Sequence, residues 1–117
     1  MAVTKAIPTD ELEPYFAEFT RRFLKDDSPE AADVEVVDAE LGDLTVAQGA
    51  RLLGITYEPP THSLEFEFDV GDHRVLDPHE VWTMEEPDGF LNSVGVVHGD
   101  GTRDVVNIRR VGLRRAD

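Results

Sequence analysis

Residues Leu52–Asp69 read LLGITYEPPTHSLEFEFD, and their patterning decides the fold class. Leu64, Phe66 and Phe68 alternate with Glu65, Glu67 and Asp69. Successive side chains of a strand point to opposite faces, so one face is aliphatic and aromatic and the other is acidic. Leu53, Ile55 and Tyr57 give the incoming strand the same period. Pro59-Pro60 cannot donate ladder hydrogen bonds and turns the chain out of the sheet. The stretch is therefore a hairpin. Burying Leu64, Phe66 and Phe68 contributes about 1.5–3 kcal/mol each. An isolated hairpin is marginal in water, so this apolar face needs a cover.

The cover lies upstream. Leu12, Tyr15, Phe16, Phe19 and Phe23 form one stripe on a 3.6-residue period, with Glu18, Arg21, Arg22 and Lys25 mainly on the other side. Thr9 or Asp10 is expected to cap this helix, with Glu11 and Glu13 near its positive end. Pro14 costs little so near the start, because the first N–H groups lack intrahelical partners. Asp26-Asp27-Ser28-Pro29 ends the helix.

The remaining segments are short and extended. Val34–Leu41 reads as a strand, with a turn at Gly42-Asp43. Residues 44–51 mix helix and strand preferences and read as an irregular connection. Segments His73–Leu76, Glu80–Glu85, Leu91–His98 and Arg103–Arg109 follow. They are separated by Gly71-Asp72, Asp77-Pro78, Pro87-Asp88-Gly89 and Gly99-Asp100-Gly101-Thr102. The expected class is α+β: an N-terminal amphipathic helix packed on a mostly antiparallel sheet or half-barrel of about six short strands. The Leu52–Asp69 hairpin is expected to be the central pair. The chain reads as a single domain over 1–117, with an ordered core over 7–109 and mobile arms at 1–8 and 111–117.

Composition narrows the function classes. Twenty-five acidic and 11 basic residues leave a net charge of −14. Such a surface repels nucleic-acid phosphates, so no nucleic-acid partner is expected. It also fits adaptation to high salt, where screening makes many carboxylates tolerable. There is no Cys, which excludes disulfides and thiolate metal sites. No apolar run suits a signal peptide or a membrane helix, so a cytoplasmic protein with no membrane partner is expected.

Four motifs carry a resemblance. The first is the helix with Ile7, Pro8, Leu12, Tyr15, Phe16 and Phe19. The second is Leu53-Gly54-Ile55-Thr56-Tyr57-Glu58-Pro59. The third is His73, Val75 and Pro78, and the fourth is Asp100-Gly101-Thr102. In this order the chain resembles a family of small prokaryotic proteins catalogued only as a domain of unknown function. The resemblance spans about residues 7–109 and implies no activity, because that family has no assigned chemistry.

Two groups of residues are candidate sites. His73, Asp77 and His79, with Glu80 beside them, combine imidazole and carboxylate groups that can ligate a divalent metal or move protons. A Pro-containing bend separates the two histidines, and no His-Glu-x-x-His spacing is present. No nucleophile motif surrounds Ser28, Ser63 or Ser93, so no catalytic residue and no cofactor is assigned. The second group is an interaction set. Arg109, Arg110, Arg114 and Arg115 form a basic end in an acidic chain, suited to pairing with Glu65, Glu67 and Asp69 in the same or a second copy. Tyr57 and Trp82 join this set if exposed together. The expectation is a non-enzymatic interaction or accessory protein, with a protein partner or a second copy in a homodimer. The alternative is a small metal-binding protein or enzyme built on His73, Asp77 and His79.

Overall fold

The computed structural model describes residues 2–24, 30–38, 42–69 and 71–110, with backbone alone for 30–38, 42–48 and 110. The tail over 111–117, expected to be mobile, lies outside the described residues.

The apolar stripe folds as expected, with a modified beginning and end. A 3-10 turn over Thr9–Glu11 leads into α1, Leu12–Phe19, and a π-turn over Thr20–Leu24 closes it. Neither helix start has a side-chain cap, so Thr9 and Asp10 do not play the role expected of them. Leu12, Phe16 and Phe19 are buried, and Tyr15 and Phe23 are half-buried against the same core.

The described residues form eight strands: β1 Val3–Ala6, β2 Glu30–Asp38, β3 Gly42–Glu58, β4 Ser63–Phe68, β5 Gly71–Leu76, β6 Glu80–Glu85, β7 Leu91–Val97 and β8 Arg103–Arg110. Their order is β1-β6-β7-β8-β2-β3-β4-β5, and every neighbouring pair is antiparallel. Two antiparallel sheets share β3, whose first half pairs with β2 and whose second half pairs with β4. The fold is thus α+β, and among the described residues the sheet is open and has eight strands rather than about six.

Three expectations are corrected. Within the expected arm 1–8, Val3–Ala6 is not free but pairs with β6 as an edge strand. Residues 44–51 are not an irregular connection but part of the 17-residue strand β3. Their mixed preferences reflect bulges. Between Thr45 and Ala47, and again between Ala47 and Ala50, β3 inserts one residue more than β2. Gly49, at φ +67, supplies the left-handed conformation that such an insertion uses. The hairpin Leu52–Asp69 is not the central pair either, since β3 and β4 sit near one end of the order.

A third bulge lies inside the hairpin. Leu52 faces Phe68 while Gly54 faces Glu67, so one extra residue stands on β3. The alternation therefore slips. Leu52, Ile55 and Tyr57 are buried, and Leu53 is 41% exposed. The face of Leu64, Phe66 and Phe68 is buried as expected, and α1 shares its core.

Beyond its pairing with β2, the second half of β3 presents an open edge to the helix. Thr20 caps that edge. Its hydroxyl donates to the Ile55 carbonyl oxygen and accepts from the Ile55 N–H, both at 3.1 Å. The Tyr15 and Thr83 hydroxyls, 3.0 Å apart, tie the helix to β6 at the other side.

Candidate functional site

Two features stand out from the ordinary packing: an apolar outer face on β6, β7 and β8, and a cluster of imidazoles around one buried carboxylate.

The outer face follows from register. On the inner side, Val81, Thr83, Val94, Val96, Val106 and Ile108 are buried. The alternate residues point outward in rows. Glu80, Val97 and Arg103 face one another across the three strands, and Trp82, Gly95 and Val105 form the next row. Met84 and Ser93 follow. A solvated sheet face is normally polar. Here Trp82 and Met84 are each 42% exposed, beside half-buried Val97 and Val105. They border a groove of about 430 Å³ whose floor includes Gly95. Its lining holds one acid, Glu80, and one base, Arg103, in a chain of net charge −14. The Trp82 indole N–H donates to the Glu80 carboxylate at 3.0 Å.

The imidazole cluster joins distant strands. His73 on β5 places Nε2 2.8 Å from Asp104 Oδ2, and His98, just after β7, places Nε2 3.1 Å from Asp104 Oδ1. Asp104 is 5% exposed. Burial pushes its carboxyl upward, but hydrogen bonds and charge attraction from His73 and His98 outweigh this and leave it below its ordinary value. The ionised carboxylate can only accept, so both Nε2 atoms carry a proton and donate to it. Asp104 and His98 escaped the sequence reading because each looked like an ordinary strand or strand-end residue. Only the rolling of the sheet brings His73 to them.

The three residues expected as a metal set are not brought together. His73 is held by Asp104. Asp77 is at φ 54, with its side chain 92% exposed, and lies 3.5 Å from His62 Nε2. The His79 side chain is exposed, while its N–H donates to the Val97 carbonyl oxygen. Among the described residues, no three His, Asp or Glu side chains form a group able to hold a metal ion.

The interaction set divides as well. Trp82 is exposed, but Tyr57 is 6% exposed and its hydroxyl meets His62 Nδ1 at 2.5 Å. The two aromatics therefore share no surface patch. Arg109, next to last in β8, lines a second groove of about 560 Å³ together with Glu86 and Asp88. The Arg110 backbone pairs with Glu30, and its side chain lies outside the described residues, as do Arg114 and Arg115. The acidic residues Glu65 and Asp69 have partners among the described residues. Arg74 lies 3.5 Å from Glu65, and the Arg51 N–H donates to the Asp69 carboxylate at 3.1 Å.

No helix among the described residues is long and apolar enough to cross a membrane. Fold and surface together define a small α+β protein with a rolled, open antiparallel sheet and an apolar outer face. The chain belongs to the family of unknown function DUF5335, whose model matches residues 3–113. It is also similar to an uncharacterized protein of Aquifex aeolicus (strain VF5), 34% identical over 107 residues, covering 91% of this chain and 92% of that one. No solved structure matches the chain.

Proposed function

We propose that this protein is a non-enzymatic interaction protein of the cytoplasm, which docks a protein partner on the outer face of β6, β7 and β8. One observation carries the reading: Trp82 and Met84, each 42% exposed, stand with Val97 and Val105 where a solvated sheet face is normally polar. Aromatic and methionine side chains are enriched at protein interfaces, where charged groups are depleted. The groove has that composition inside an otherwise acidic surface. The net charge of −14 disfavours nucleic acid and supports a salt-adapted protein. The alternative, a metal or catalytic site on His73, Asp77 and His79, draws less support, because the His73 and Asp77 side chains meet different partners and that of His79 is exposed.

The test uses a photo-crosslinking phenylalanine at Met84 and, as a control, at Leu76, which is 63% exposed on β5. A discrete protein adduct in host cells is expected at position 84 and not at 76. Equal, diffuse labelling at both would remove the docking reading. For salt adaptation, a melting series in KCl decides. Unchanged stability between low and molar salt rules it out.

A further inference from the structure

We infer that the occupant of this face is a second copy of the same chain, packed sheet on sheet about a two-fold axis that runs along β7. The inference rests on the docking reading above and names its partner.

Register and charge carry it. Glu80 on β6 faces Val97 on β7, which faces Arg103 on β8. Acid and base are thus placed symmetrically on either side of β7, about 10 Å apart at two strand spacings. A two-fold axis along β7 lays β6 of one copy over β8 of the other. Glu80 of each copy then meets Arg103 of its partner, and both ion pairs form at once, as an isologous interface requires. Among the described residues Arg103 makes no ion pair within its own chain, and Glu80 holds only the Trp82 indole at 3.0 Å.

The next row fits the same axis. Trp82 of one copy lies over Val105 of the other, because Trp82, Gly95 and Val105 are in register. Gly95 sits on the axis, where an added Cβ would meet nothing within 4 Å. That empty space lets two sheets approach to the roughly 10 Å typical of face-to-face packing while each indole lies across the gap. Charge favours this face over others. Two copies of net charge −14 repel over most of their surfaces, but here each presents one acid and one base.

The experiment is sedimentation of the full chain in 0.5 M KCl, with Glu80→Arg and Arg103→Glu as separate variants and as an equimolar mixture. Both positions are exposed, and circular dichroism checks that each variant is folded. The wild type is expected to be a dimer at micromolar concentration. Each variant alone sets like charges opposite each other and should dissociate at least tenfold more readily. The mixture should recover the dimer as a heterodimer. One copy then carries a base at both positions and the other an acid at both, so each of the two contacts joins opposite charges. A mixture that stays monomeric overturns the pairing. A wild type monomeric up to high micromolar concentration overturns self-association, while a discrete foreign adduct at position 84 would leave the docking reading standing.

Discussion

His73 Nε2 lies 2.8 Å from Asp104 Oδ2, although β5 and β8 stand four places apart in the sheet. In a flat sheet four spacings hold two strands about 19 Å apart. The contact therefore requires the sheet to roll, and the bulges of β3 lie between the two strands in that order. Bulges bend and twist the strand that carries them. The rolled sheet is thus held over its core by one buried carboxylate shared between two imidazoles, without any pairing between β1 and β5 among the described residues.

Asp104→Asn should test that clasp. An amide offers one acceptor where two N–H groups converge, so about 1–3 kcal/mol of stability should be lost at neutral pH. The sign with pH follows from the direction of the shift. Asp104 is held below its ordinary value, so its contribution is present above the unfolded value of about 3.8 and disappears as pH falls through the folded one. Urea unfolding of wild type and variant should therefore converge below pH 4. A constant difference between pH 7 and pH 3 would show that the carboxylate charge is not the source.

Thr20→Val keeps the side-chain shape and removes both hydrogen bonds to Ile55. The Ile55 N–H and C=O then face the helix unpaired, at a cost of about 1–3 kcal/mol. Thr20→Ser retains the hydroxyl and should lose much less. Equilibrium denaturation distinguishes the two. Equal losses would assign the effect to packing of the Thr20 methyl group.

Gly49→Ala isolates the backbone requirement of the bulge. An added Cβ meets nothing within 4 Å, so any loss is conformational. At φ +67 an alanine costs about 1–2 kcal/mol, and asparagine, which tolerates this region better, should cost less than alanine. Urea midpoints for the two variants give the comparison.

Glu65→Gln should stabilise the protein. Burial, followed by a hydrogen bond shared with Asp72, raises the Glu65 carboxyl above its ordinary value, although Arg74 pulls the other way. A raised acid is a group the fold prefers uncharged, so the charge opposes folding at neutral pH. The melting temperature should rise by about 1–3 °C at pH 7. The gain should fade as pH drops toward the carboxylate range, where the wild type binds the proton itself. A lower melting temperature at pH 7 would mean that the Arg74 pairing outweighs burial.

Features that depend on local period were legible in the residues alone. Leu64, Phe66 and Phe68 had to share one face because a strand alternates, and Leu12, Phe16 and Phe19 had to share another because a helix repeats every 3.6 residues. All six are buried in one core. From this the α+β class, the antiparallel sheet and the helical cover were legible. The acidic balance, too, needed no structure.

Everything that depends on non-local geometry was decided by the tertiary structure. The edge strand Val3–Ala6 has no buried face to announce it, and only its pairing with β6 fixes it. Bulges break the period by which strands are recognised, which concealed residues 44–51 and turned Leu53 outward. Trp82 is exposed and Tyr57 is buried, a distinction that composition cannot make. His73 was legible as a chemically capable residue, but its expected partners Asp77 and His79 were neighbours only in sequence. Its actual partner, Asp104, lies 31 positions away and is brought near by the rolling of the sheet. A side chain's chemistry is local, whereas its partners depend on how distant strands are stacked.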